Sequence, residues 1–388
     1  MIAVEQAYPN HVGLNAQLLS LEENYRAAGI NWYIHNLLCH LPDADPELRY
    51  TAYTHEPRFS SRQGLQVRRP AWSTAGPMGR IAWEQLVAPL DLRRDGIDLL
   101  HAMAFVAPVL GPCPTVVTVL DLSFLFYPDA FKAFKRIYLR LMTRFSVRRA
   151  QRVIAISEST RQDVVTHLGV PADRVQTVPC GVDARFEPLD QEQVQAFRRQ
   201  KKLPERFILF LGTIQPRKNL TALVDAFDRL LRAKAPGTSD LHLVVAGAKG
   251  WFYEQVFAHV EALALSDRVH FVGYVPEDDK VLWYNAAQCF CYPSLYEGFG
   301  LPPLEAMACG IPVVTSNVSS LPEVVGDAGI TVSPSDIDAL SQALGQLAGH
   351  PGRARDLAQQ GQARAKQFSW EDAACQTAQV YRRVLGGG

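Results

Sequence analysis

The chain has 388 residues, with 39 Lys+Arg against 39 Asp+Glu, 48% hydrophobic residues and 20% charged residues. This length suggests two domains, and the composition excludes a disordered or low-complexity protein. A formal net charge of zero lacks the basic footprint of a nucleic-acid binder, so no nucleic-acid partner is expected.

From the N-terminus, Met1 to Asn10 shows no basic region followed by an apolar stretch, so no secretory leader is expected. Short apolar runs predict strands at Val12–Leu14, Leu99–His101, Val116–Leu120, Val153–Ile156 and Val175–Val178. Further strands are predicted at Phe207–Leu211, Leu241–Ala246, Val269–Val272, Cys289–Tyr292 and Val313–Thr315. Near-continuous apolar runs, rather than alternating ones, belong to parallel strands covered on both faces. Helix-periodic segments separate them. In Asn219–Leu231, Leu220, Leu223, Val224, Phe227, Leu230 and Leu231 recur at helical spacing behind Asn219 as N-cap. The alternation predicts an α/β fold of two Rossmann-like, doubly wound parallel sheets, divided at the polar stretch Glu187–Arg206. Phe368–Leu385 carries Trp370, Ala374, Ala378, Tyr381 and Leu385 at helical intervals and needs a surface to pack on.

Other features read as structural. The stretch Ala102–Leu120 is uncharged, but Pro108, Pro112 and Pro114 make it a loop into a strand rather than a membrane span. Seven cysteines (Cys39, Cys113, Cys180, Cys289, Cys291, Cys309, Cys375), with no C-x-x-C pair, read as buried free thiols of a cytoplasmic protein. Asp43-Ala-Asp45, between Pro42 and Pro46, reads as a loop, and Asp336-Ile-Asp338 as a helix cap, so neither is taken as a metal site.

Two motifs carry chemistry. Pro293-Ser-Leu-Tyr-Glu297-Gly298-Phe299-Gly300-Leu301-Pro-Pro-Leu-Glu305-Ala-Met-Ala-Cys-Gly310 follows a strand, and so opens at the carboxyl edge of a sheet, where open α/β folds bind ligands. Gly298 and Gly300 let backbone approach a ligand, and Pro302 and Pro303 suit a first helical turn. The amides of Phe299 to Leu301 are expected to face an anion with the helix dipole behind them, and Gly310 to end the helix. Glu305 is expected in the first helical turn, aimed at the same crevice as Glu297. The second motif, Gly212-Thr-Ile-Gln-Pro-Arg217-Lys218-Asn219, sets two cations just before a helix N-terminus, where the dipole disfavours them. A diphosphate removes that conflict, since Arg217 can fork two oxygens and Lys218 adds a point charge.

With these motifs the sequence resembles the retaining glycosyltransferases of the GT-B fold, family 4 (group 1), over nearly its whole length. The likeness also includes Gly29-Ile-Asn-Trp-Tyr, Asp98-Leu-Leu-His101, Val119-Leu-Asp121-Leu-Ser-Phe, Ile156-Ser-Glu158-Ser, Val178-Pro-Cys-Gly181-Val-Asp183, Phe271-Val-Gly273-Tyr274 and Leu321-Pro-Glu323. It implies two domains facing a cleft: 1–186 with 370–388 on the acceptor side, and 187–369 holding the donor. The C-terminal helix would cross back to the first domain.

By the resemblance, Arg217 and Lys218 hold the donor diphosphate, with Gly212 in the same loop. Glu305 binds the ribose and Gly273-Tyr274 the base. Glu297 and the amides of Phe299 to Leu301 orient the sugar, and Gly29 faces the phosphates and acceptor. The implied reaction is hexose transfer with retention from a nucleotide-diphosphate sugar to a glycan or glycolipid acceptor, with no cofactor or metal. Mannose is the preferred sugar. A non-catalytic sugar-nucleotide-binding partner of an active transferase, or a GT-B epimerase or phosphorylase, are the alternatives.

One position departs from the pattern. Members commonly carry His before the Asp121 position, where this chain has Leu120; either Asp121 or another group such as His101 takes over positioning of the reacting sugar, or activity is reduced. Lys132 to Arg149 holds seven cations and no acids, with Lys132, Arg136, Arg140, Arg144 and Arg148 at i,i+4 spacing. It reads as a helix covering the N-terminal sheet with a solvated basic face. The alternative is peripheral contact with the inner membrane face through 132–149, suited to a lipid-linked acceptor.

Overall fold

The computed structural model describes residues 10–22, 29–234 and 236–386. They form two compact units. One comprises 10–22, 29–181 and 370–386, and the other is Val182–Ser369.

The first unit is built on a parallel sheet of β1 (His11–Asn15), β2 (Arg49–Tyr53), β3 (Leu65–Arg68), β4 (Leu99–Ala102), β5 (Thr115–Val119), β6 (Arg152–Ala155) and β7 (Val175–Thr177). Their spatial order is β3-β2-β1-β4-β5-β6-β7. The second sheet holds β8 (Arg206–Leu211), β9 (Leu241–Ala246), β10 (Val269–Gly273), β11 (Cys289–Tyr292), β12 (Val313–Ser316) and β13 (Ile330–Val332), in the order β10-β9-β8-β11-β12-β13. Strand order reverses beside β1 and beside β8 in their respective sheets, and such switch points open crevices at the strands' carboxyl ends. Phe207, Ile208, Leu209 and Phe210 of β8 are fully buried, as the unbroken apolar run requires.

Each predicted strand is present. The strands β2, β3 and β13 are additional, and their sequences Arg49–Tyr53, Leu65–Arg68 and Ile330–Val332 carry no long apolar run. Both β3 and β13 are short edge strands, β13 half-buried and β3 with Gln66 and Arg68 exposed, where polar residues are tolerated. The polar stretch Glu187–Arg206 holds a helix, Gln191–Lys201, whose Val194 and Phe197 are buried in the second unit, Phe197 edge-on to Trp283. Thiol burial is uneven: Cys180, Cys289, Cys291 and Cys309 are buried, whereas Cys375 is exposed.

Asp43 belongs to a helix rather than a loop, because Gly29–Ala44 runs through Pro42. Proline leaves the carbonyl four residues back without its amide donor, and Arg62 donates to that carbonyl, Leu38 O, at 2.6 Å. Asp45 binds Arg382 through both oxygens at 2.6 Å. Asp336 caps the Ile337–Gly349 helix by accepting from Ala339 N at 2.9 Å.

The helix Trp370–Leu385 packs within the first unit, burying Trp370, Ala374, Thr377, Ala378 and Tyr381. Trp370 meets Tyr33 edge-on. Tyr381 OH lies 2.6 Å from His101 Nδ1, and His101 Nε2 lies 2.8 Å from Thr118 Oγ1, itself 2.9 Å from Tyr33 OH. His101 is therefore no substrate-facing group. It is fully buried, and that burial lowers its pKa to about 3 and keeps it neutral.

Candidate functional site

The second sheet positions the polar cluster. At the end of β8, Gly212 N donates to Ala246 O, and the loops after β8 and β9 then run backbone against backbone. A Cβ on Gly247 would stand 1.9 Å from Gly212 O, so only glycine fits there. Beyond this contact the chain forms a 3-10 turn, Pro216–Lys218, then the Leu220–Arg232 helix. Asn219 joins them at φ +55°, a left-handed conformation that Asn tolerates better than most residues. Its side chain does not cap the helix as expected but donates to Pro334 O at 2.8 Å.

At the end of β11 the loop from Pro293 brings Glu297 to these cations. Glu297 Oε1 lies 2.6 Å from Lys218 Nζ, and Oε2 lies 2.9 Å from Arg217 Nη1. Ser294 Oγ donates to the same carboxylate, and Arg217 also donates to Tyr296 O. Lys218 Nζ further contacts Tyr292 OH and sits 4.7 Å above the Tyr292 ring. Burial alone would raise the Glu297 pKa, but Arg217 and Lys218 outweigh it and hold it at about 2. The three side chains thus form one nearly buried group, two positive charges on one negative, with a surplus of one positive charge. The separation of 79 or 80 residues between carboxylate and cations closes through adjacent strands, since β8 and β11 are neighbours.

The loop itself is anchored from behind. Ser319 Oγ accepts from Glu297 N at 3.0 Å, and Ser320 Oγ donates to Glu297 O and Phe299 O. Gly298 and Gly300 are buried in the bend, and Gly300 takes φ +124° at the N-cap of the Leu301–Ala308 helix. Phe299 turns its ring into the core, edge-on to Phe368. Because Pro302 and Pro303 carry no N–H, the donors at this helix start come from Leu301 and the residues before it. Gly310, at φ +73°, follows the helix end.

Glu305 lies in the second turn of this helix, not the first, and is buried with partners of its own. Tyr284 OH donates to it at 2.8 Å, and Lys280 Nζ stands 3.8 Å away. Lys280 also pairs with Glu277 at 2.7 Å, which Arg185 meets at 2.8 Å. Burial works against the Lys280 charge, yet Glu305 and Glu277 raise its pKa above the usual lysine value. Lys280, Tyr284, Tyr292, Ser319 and Ser320 were not singled out from sequence. The signal available was charge density, since Glu277-Asp-Asp-Lys280 opens a helix.

The remaining predicted residues are distributed. Gly273 ends the edge strand β10, with Gly247 N donating to its carbonyl, and Tyr274 is 40% exposed beside it. Gly29 and Asp121 belong to the first unit. Gly29 opens the Gly29–Ala44 helix, while Asp121 follows β5 and accepts from Ser123 N and Ser123 Oγ at 2.9 and 2.7 Å. Leu120 beside it is buried. Among the described residues, no group of three or more His, Cys, Asp or Glu is placed to hold a metal ion.

Two family profiles cover most of the chain. The glycosyl transferases group 1 profile matches residues 191–364, and the glycosyltransferase family 4 profile matches residues 27–186. The O-antigen chain mannosyltransferase B of Escherichia coli is 35% identical over 271 residues, which is 69% of this chain and 70% of that protein. The serotype-specific mannosyltransferase WbdA of Escherichia coli is 32% identical over 65% of this chain, a match that spans 31% of WbdA. Among solved structures, sucrose-phosphate synthase from Thermosynechococcus elongatus superposes with a TM-score of 0.77 at 22% identity, covering 98% of this chain and 100% of that one.

Proposed function

The chain belongs to the group 1, family 4 glycosyltransferases of the GT-B fold, and from that premise we propose that it transfers mannose from a nucleotide-diphosphate sugar to a saccharide or lipid-linked acceptor, with retention at the anomeric carbon. The observation that carries this reading is the Arg217–Lys218–Glu297 group at the carboxyl edge of the second sheet. Departure of a sugar from a nucleoside diphosphate builds negative charge on the leaving oxygens, and fixed cations in a low-dielectric site stabilise that charge without reorganising. Arg217 and Lys218 are such cations, already held by Glu297 and Tyr292 before a donor arrives. They supply the neutralisation that a metal ion supplies in other transferases.

In this reading the diphosphate binds beside both cations, with Gly212 allowing close backbone approach. The amides of Phe299 to Leu301 orient donor oxygens, and Gly298 and Gly300 keep the loop clear of side chains. Glu305, braced by Tyr284 and Lys280, accepts from the ribose hydroxyls, and Gly273-Tyr274 receives the base. Gly29 and Asp121 serve the acceptor side. The leaving phosphate takes the acceptor's proton on the same face as the departing bond. The preference for mannose rests on likeness to two mannosyltransferases.

The test is a thermal-shift screen of guanosine, uridine and adenosine diphosphates and their sugar conjugates, followed by a transfer assay with the conjugate that stabilises most. A ligand at 100 times its Kd stabilises the native state by about 2.7 kcal/mol. Guanosine diphosphate mannose is expected to give the largest shift and to be consumed. Stabilisation by a uridine or adenosine conjugate instead would reassign the donor. Stabilisation without transfer to any glycan or glycolipid would favour the non-catalytic binding partner.

A further inference from the structure

Two histidines meet on the second sheet, at the end opposite the proposed donor site. His242 is the second residue of β9 and His270 the second of β10. The strands run parallel with His270 beside Val244, so His242, two residues before Val244, lies on the same face as His270. Phe271 takes the other face, where it stacks on Phe257 of the Tyr253–Ala262 helix with ring centroids 4.0 Å apart. His242 Nδ1 lies 2.8 Å from His270 Nε2, and the two rings are 5.0 Å apart between centroids. Both histidines are half-buried.

Among the described residues, each ring's hydrogen-bond partner is the other ring, with no carboxylate or carbonyl in between. Two protonated rings would set like charges against each other at this distance. Burial lowers both pKa values, and His270 and Arg268 lower that of His242 further, so the pair is neutral at pH 7. Neutral imidazole is the form that binds metal ions. The charges nearby are mixed. Asp267, exposed three residues before His270, and Asp240, which pairs with Arg206 at 3.0 Å, favour a cation. Arg268 opposes one, but its guanidinium is turned to Leu241 O and Ser239 O at 3.1 and 2.6 Å.

The spacing selects the ion. Ligands at right angles with bonds of about 2.0 Å stand about 2.8 Å apart, whereas a tetrahedral ion needs about 3.3 Å. We propose that His242 and His270 form a site for a divalent transition-metal ion of tetragonal preference, Cu²⁺ or Ni²⁺, held by His242 Nδ1 and His270 Nε2 with water completing its sphere. The ring that donates in the pair shifts its hydrogen to its other nitrogen, so both inner nitrogens offer lone pairs and no net proton is lost. The ion staples the edge strand β10 to β9. It stands at the amino-terminal ends of these strands, whereas Arg217, Lys218 and Glu297 follow the carboxyl ends of β8 and β11, so it takes no part in neutralising a diphosphate. The inference is independent of the proposed reaction.

The untagged full-length chain, stripped with a chelator and titrated with CuCl₂ and NiCl₂ at neutral pH, tests it. The wild type is expected to bind one Cu²⁺ whose electron paramagnetic resonance spectrum shows two imidazole nitrogens, and Ni²⁺ should raise its melting temperature. His242→Gln and His270→Gln keep polar side chains at the surface and are each expected to lose about tenfold or more in affinity. His259→Gln, whose ring pairs instead with Asp225 at 2.5 Å, should bind as the wild type does. Melting curves without metal verify folding, and the wild-type spectrum is an arm that needs no variant. A spectrum with fewer than two imidazole ligands overturns the proposal. So does wild-type affinity in both His242→Gln and His270→Gln, which would place the bound ion elsewhere.

Discussion

Glu297 is bound to both cations of the proposed donor site, so its protonation state couples stability to chemistry. Its carboxyl has a pKa of about 2 in the fold against 4.5 when unpaired. A depressed carboxylate stabilises the fold fully above the unpaired value, and that contribution of about 3 kcal/mol is lost as pH falls from about 4.5 towards 2. Glu297→Gln should therefore lower stability at neutral pH and flatten its acid dependence between pH 5 and 3, measured by denaturant unfolding. The same change leaves Arg217 and Lys218 without their anion, and nucleoside diphosphate oxygens can replace it. Added diphosphate should then raise the melting temperature more in Glu297→Gln than in the wild type, while transfer falls about a hundredfold or more. An equal or smaller shift would mean that the ligand does not meet these cations.

Glu84 behaves in the opposite sense. Burial pushes its carboxyl up to about 7, although Arg80 at 4.0 Å and a hydrogen bond from Asn15 pull it down. A raised carboxyl favours the fold below its unfolded value, and this advantage disappears as pH rises through about 7. Glu84→Gln should remove that decline, giving a variant whose stability relative to wild type improves from pH 5 to pH 8. A parallel pair of pH curves would contradict the assignment.

At the level of elements, three joints hold the site and the C-terminal helix. Gly300 combines φ +124° with a neighbour, Leu321 Cδ2, 3.0 Å from where a Cβ would be. Gly300→Ala should cost about 1–3 kcal/mol in stability, measured by chemical denaturation, and displace the loop that carries Glu297. Asn219 adds left-handed backbone strain to a hydrogen bond to Pro334 O. Asn219→Ala is thus expected to destabilise by about 1–2 kcal/mol and Asn219→Gly by less, because glycine relieves the strain and loses only the bond. Tyr381→Phe removes the partner of the buried His101 Nδ1 and should cost about 1–3 kcal/mol.

For the whole molecule, the Trp370–Leu385 helix belongs to the first unit although the chain reaches it only after completing the second. Deleting residues 370–388 uncovers the surface against which Trp370 and Tyr381 pack. Calorimetry is expected to show a lowered transition for the first unit, while nucleotide still stabilises the Val182–Ser369 unit. A loss of nucleotide stabilisation on that deletion would mean that the helix supports the second unit as well. Among the described residues no helix is long and apolar enough to cross a membrane.

Much of the fold was legible because its signals are local. Buried parallel strands such as Phe207–Leu211 and Leu241–Ala246 need unbroken apolar runs, and the proline pair and glycines around Leu301–Ala308 answer to backbone geometry within a few residues. The edge strands β3 and β13 were not legible, since edges that stay partly exposed impose little pattern on a short segment. The Glu297 string and the Arg217-Lys218 pair could be found separately, each from its own conflict with ordinary surface chemistry. That one carboxylate neutralises both cations depends on β8 and β11 lying side by side, which is a property of strand order. Likewise, His101 at a strand end has the same local sequence whether it faces solvent or Tyr381, and only the return of the last helix buries it. Periodicity and turn chemistry act over neighbouring residues and are written in the chain, whereas charge pairing, burial and exposed apolar edges arise from contacts between distant segments and exist only once the chain has folded.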